Sequence, residues 1–136
     1  MRVTQLSGFL CALSFCALCT ACASRPVTLP SLPGATRVEV ADYNQRLMRR
    51  ITAPHRVQEI VALVDAQRDW HLPFLETPVG SLQLTFYSGS HSVAFADYGP
   101  GWLVRGFREH PYYAALARAD DDHLLRLLGL RREDIR

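Results

Sequence analysis

Leu82-Gln83-Leu84-Thr85-Phe86, followed by the turn residues Ser88-Gly89-Ser90 and then by Val93 and Phe95, alternates apolar and polar side chains with a period of two. That period puts Leu82, Leu84 and Phe86 on one face of a strand and Gln83 and Thr85 on the other. The short Gly-containing break between the two runs makes them an antiparallel hairpin. Gly99-Pro100-Gly101 interrupts the chain again before a third strand from Trp102 to Phe107. A meander of this kind has one apolar face to bury.

The flanking sequence supplies the helices to cover it. On the N-terminal side Val57, Ile60, Val61 and Val64 recur at helical spacing, with Pro54 in the first turn, Thr52 as the expected cap and an end near Gln67. On the C-terminal side Asp120, Asp121 and Asp122 precede Leu124, Leu125, Leu127, Leu128 and Gly129, which reads as an acidic start, an apolar face and a glycine just past the end. Ahead of the first helix, Val38 and Val40 alternate with Glu39, and Asn44-Gln45 turns the chain into a strand from Arg46 to Ile51. The stretch from Trp70 to Gly80 carries two prolines with Trp70, Leu72, Phe74 and Leu75, and is expected to be a loop folded onto the core or onto a partner. The order ββαβββα predicts an α+β, two-layer domain over residues 35–136, an antiparallel meander sheet with two helices on one face.

With 136 residues, 49% hydrophobic and 21% charged, the chain has the balance of an ordinary globule, which excludes disordered, fibrous and multi-span membrane classes. Its length allows one domain and a linker. All 15 basic residues are Arg, and the formal net charge is only +2, which argues against nucleic acid as a partner. Cys11, Cys16, Cys19 and Cys22 are the only cysteines, so residues 35–136 hold neither a disulfide framework nor a cysteine zinc site.

The N-terminus has the layout of an export signal: Arg2, a mostly apolar run from Leu6 to Cys19, then the small residues Thr20, Ala21, Cys22, Ala23 and Ser24. Cys19-Thr20-Ala21-Cys22 resembles the lipobox of bacterial lipoproteins. The resemblance covers the N-terminus alone and implies that residues 1–21 are removed and that Cys22 becomes the acylated N-terminus, a palmitate-bearing anchor. By the same resemblance, Ala23 in place of Asp after the cysteine implies an outer-membrane location facing the periplasm. Two alternatives stand beside it. Ala21-Cys22-Ala23 also fits the small-x-small rule for simple secretion, giving a soluble periplasmic or secreted protein, and the uncharged run from Val3 to Ser24 is long enough for an uncleaved anchor. Residues 22–34 contain Pro26, Pro30, Pro33 and Gly34 and are expected to form an extended tether that lifts the domain off the membrane.

Candidate chemistry is sparse. Ser90, His91 and Asp97 are the residue types of a nucleophilic triad, but adjacent strand residues point to opposite faces, and a hairpin turn accounts for them. His55, His71, His91, His110 and His123 show no metal-ligand spacing, and capping of the second helix accounts for Asp120 to Asp122. No cofactor or metal is expected. Arg105, Arg108, Glu109, Asp97 and Glu76 read as a solvated surface of mixed charge. Aromatic residues and Arg dominate recognition patches, so Trp70, Trp102, Arg105 and Tyr112 are the expected partner contacts. The sequence thus points to a membrane-anchored envelope lipoprotein whose domain binds a protein or surface component. The alternative is a small periplasmic hydrolase or metal-dependent enzyme using His91 or the Asp121 to His123 cluster.

Overall fold

A computed structural model describes residues 25–73, 76, 78–107 and 110–135. The expected export segment and Cys22, within residues 1–24, and Phe74, Leu75, Arg108 and Glu109 lie outside them. Two strands, β1 (Arg37–Asp42) and β2 (Leu47–Ile51), precede helix α1 (Pro54–Ala66); then come β3 (Leu82–Ser88), β4 (His91–Gly99), β5 (Trp102–Phe107) and β6 (His110–Ala115), and helix α2 (Arg118–Leu128). Among the described residues the strands form a six-stranded antiparallel sheet in the order β2-β1-β3-β4-β5-β6. This is the α+β fold that the periodicity predicts, with its strands and helices in the expected sequence and the meander extended by one strand, β6. Pro111 hides β6 from a pattern search, yet a proline is tolerated near the start of a strand close to a sheet margin.

Register sorts the side chains into two faces. On the core face one cross-strand row runs Arg49, Val40, Leu84, Ala96, Arg105 and Tyr112, and the next runs Leu82, Tyr98, Leu103 and Ala114. Leu84, Tyr98 and Leu103 are fully buried there against Val57, Ile60 and Val64 of α1 and Leu124 and Leu128 of α2. On the outer face a single row crosses all six strands as Leu47, Ala41, Gln83, Asp97, Val104 and Tyr113. Extra residues at Met48 and Val93 shift the register of the β1–β2 and β3–β4 pairs, which sharpens local twist.

The helix ends differ in how well the sequence foretells them. Gly129 adopts φ +67° as the left-handed residue after α2, as its position demands. Thr52, expected as the cap of α1, is not: Ala53 holds that position without a side-chain bond, and Pro54 opens the helix. The acidic start of α2 is also redirected. Asp121 turns inward and is almost fully buried, accepting the Tyr98 hydroxyl at 2.7 Å and the Gly101 N–H at 3.2 Å.

The Pro-rich segment departs furthest from expectation. It does not run free up to Ala35: Leu29 and Leu32 are buried in the core cluster. Val27 exchanges two backbone bonds with Trp70, Val27 N–H to Trp70 O at 2.8 Å and Trp70 N–H to Val27 O at 3.2 Å. His71 in turn exchanges two with Tyr113 of β6, each 2.8 Å. The Trp70–His71 dipeptide therefore lies beside β6, with Val27 one strand spacing further out. From there the arm passes under β5 and β4 and reaches Tyr87 of β3 through the Thr36 N–H, completing the layer formed by the two helices.

Candidate functional site

What fixes the arm is a buried arginine. Arg105 sits on the core face of β5, between Ala96 and Tyr112 in register and only 7% exposed. Its Nη2 donates to the Pro30 carbonyl at 3.0 Å, and its Nη1 lies 3.5 Å from Asp65 Oδ1 on the last turn of α1. Asp65 spans the gap by accepting the Leu32 N–H on both oxygens, at 2.9 and 3.1 Å. The guanidinium lies over the Trp70 ring, 5.7 Å from its centroid, and the indole N–H is satisfied by the Gln67 carbonyl at 2.9 Å. Burial pulls the Arg105 pKa down and the Asp65 charge pulls it back up, while a guanidinium stays protonated throughout. Removing a charge from water is costly unless it is paired and hydrogen-bonded, and every partner Arg105 has there belongs to its own chain. The cluster is thus a clamp on residues 27–32, with a shallow cavity of about 400 Å³ left between Pro30, Pro33, Val93 and Arg105.

The expected contact residues are redistributed accordingly. Trp70, 1% exposed, and Arg105 do not present to solvent; both belong to the clamp, because a bulky aromatic and a planar cation fill the part of the core face where the arm crosses. Tyr112 stands next to Arg105 on the same face and is half-buried. Trp102 alone of the four is on the outer face, half-buried, stacked over Gly99 and 6.2 Å from the Tyr113 ring. No known family model, curated protein or solved structure matches the chain. Its function has to be read from its own residues.

The outer sheet face is where large apolar side chains meet water. Tyr43, Leu47, Val79 and Phe95 are each more than half exposed, an unfavourable placement unless something covers them. At the margin of this face, where the β1–β2 turn meets the entry to β3, Tyr43, Val79, Gln83 and Asp97 line a groove of about 310 Å³, near the lower limit for small-ligand sites. Asp97 stands in its wall. Burial raises the carboxyl pKa above 3.8, opposed by the Gln83 side-chain bond. The sequence does not announce this face, because Leu47 and Phe95 reach the same side only through the strand register, and Tyr43 and Val79 come to its margin from a turn and a loop.

The residues of the enzymatic alternative sit in three places. Ser90 Oγ is 3.4 Å from His91 Nδ1 at the β3–β4 turn, whereas Asp97 lies six positions along β4, about 20 Å at 3.3 Å per residue. Asp121 faces the core; its second oxygen accepts Arg132 Nη2 at 2.6 Å, and the same nitrogen donates to Asp122 at 2.6 Å. These contacts pin the C-terminal turn Arg132–Asp134 to the β4–β5 turn, and burial beside the Asp121 carboxylate drives the Tyr98 hydroxyl pKa far up. His123 points elsewhere, to Glu59 at 3.7 Å. Among the described residues no group of three His, Cys, Asp or Glu could hold a metal ion, and no helix is long and apolar enough to cross a membrane.

Proposed function

We propose that this is an envelope lipoprotein, lipid-anchored through Cys22, whose open sheet face binds another envelope protein or a surface component. The observation that carries the binding half is the outer face with Phe95 and Leu47 exposed on the sheet and Tyr43 and Val79 exposed in the wall of the groove at its margin; apolar patches left in water mark interaction surfaces. The anchoring half rests on the lipobox-like Cys19-Thr20-Ala21-Cys22. An outer-membrane position facing the periplasm follows from Ala23 by the same resemblance.

Trp102 is the aromatic contact retained from the sequence, and Phe95 joins it from the register. A photoreactive residue at position 95 in the full chain, expressed in a diderm bacterium, is expected to give one dominant adduct in native membranes that disappears when Leu47 and Val79 are changed to Asp. Mass spectrometry of the mature N-terminus is expected to show a diacylglyceryl thioether on Cys22. An unmodified N-terminus would overturn the anchoring, and adducts spread over many proteins irrespective of Leu47 and Val79 would overturn the binding face.

A further inference from the structure

We infer that the clamped arm is a short leash that presses the β6 side of the domain, through Val27 and Leu72, onto the lipid surface that carries the anchor. This rests on acylation of Cys22. Were residues 22–34 a free tether, Ala35 could stand up to about 45 Å from the modified cysteine at 3.3–3.6 Å per residue. The clamp removes most of that length. Val27 is already paired with Trp70, and the Arg105–Pro30 and Asp65–Leu32 bonds hold the residues behind it. From Cys22 to Val27 the covalent reach is at most about 18 Å, well below the width of a domain whose radius of gyration is about 13 Å. The domain cannot turn over on such a leash, so one side of it stays against the bilayer.

That side has the chemistry for contact with lipid. Val27 and Leu72 are 37% and 45% exposed, and they flank the Trp70–His71 bridges beyond β6. Arg25 and Arg68 are exposed beside them, with Asp69 offsetting one charge, so apolar side chains and cationic heads meet acyl chains and phosphates together. At the other margin Leu47, on β2, is seven strand spacings from Val27, up to about 33 Å away, which leaves the outer face and its groove free to meet a partner.

The test uses the full-length processed chain in vesicles of phosphatidylethanolamine and phosphatidylglycerol, with single cysteines Leu72→Cys or Leu47→Cys bearing a fluorophore and with lipids brominated in their acyl chains. Quenching several-fold stronger at position 72 than at 47 is expected, and a flexible Gly-Ser insertion of about 15 residues between Ser24 and Arg25, which adds up to about 50 Å of reach, is expected to bring the two towards equality while the tryptophan emission reports an intact fold. Equal quenching at 72 and 47 in the otherwise unchanged protein would overturn the orientation. The mass of the parent chain's mature N-terminus separates the two readings: with Cys22 acylated, equal quenching overturns the orientation alone, whereas an unmodified Cys22 or a chain beginning after Ala23 would overturn the anchoring itself and this inference with it.

Discussion

Replacing Arg105 with Met keeps the unbranched stem as far as the position of Nε but deletes the guanidinium over Trp70, and with it the donor to Pro30 O and the charge facing Asp65. A hydrogen bond to a charged group contributes about 1.5–3 kcal/mol. The lower part of that range applies, because Asp65 keeps the Leu32 N–H and its side chain is 21% exposed, so water can reach it. About 2 kcal/mol of arm docking is lost, and at 1.4 kcal/mol per tenfold this raises the undocked population about 30-fold. Amide hydrogen exchange reads that population directly. The Val27 and Leu32 amides, bonded to Trp70 and Asp65, are expected to exchange about 30-fold faster, while amides of the central strand β3 change much less. Acceleration of Leu32 and the β3 amides by one common factor would show that the arm opens only with the whole domain. No acceleration at all would show that Leu29 and Leu32 hold the arm without Arg105.

Other perturbations probe the rest of the molecule. Burial raises the Asp97 pKa above 3.8, so the folded state holds the proton more tightly than the unfolded one; the stability this gives is complete below about pH 3.8 and is lost as pH rises through the elevated value. Asp97→Asn is therefore expected to raise the urea midpoint at pH 7 and to match the parent below about pH 3.8, and a variant no more stable at pH 7 would refute the assignment. A Cβ added by Gly99→Ala would overlap the Trp102 ring; the ring has to leave, at a cost of about 1–3 kcal/mol, with a red shift in tryptophan emission against the constant signal of buried Trp70. Tyr98→Phe removes the hydroxyl bond to Asp121 and is expected to cost about 1 kcal/mol, measured by urea denaturation; an unchanged midpoint would mean that water replaces the bond.

The elements with a strong period are legible from sequence: the two-residue alternation of β3 and the helical spacing of Val57, Ile60 and Val64 each describe a local face buried by the nearest available partner. What escapes is decided by residues far apart in the chain. Pro111 conceals β6 because its strand character comes from pairing with Gly106, not from its own composition. Arg105 and Trp70 read as exposed recognition residues because Arg is usually on the surface, and nothing local announces that Pro30 and Asp65 will enclose them. Asp121 looks like one of three capping acids until the β4–β5 turn brings Tyr98 and Gly101 against it. The arm has no period at all, and its burial is visible only through its distant partners.

The bond between Arg105 and Pro30 closes a loop of 75 residues, and that between Asp65 and Leu32 one of 33. Segments so separated meet late, because the entropy of closing long loops has to be offset by contacts formed earlier. Residues 27–32 are among the first of the domain to be synthesised and are fastened in stages: Asp65 and Trp70 are there to take Leu32 and Val27 once α1 has emerged, but the Pro30 carbonyl waits for Arg105 until β5 has emerged and paired. On the proposed acylation of Cys22, an enzyme acting there before the domain folds would meet a chain whose last fastening, Arg105 to Pro30, is still unmade.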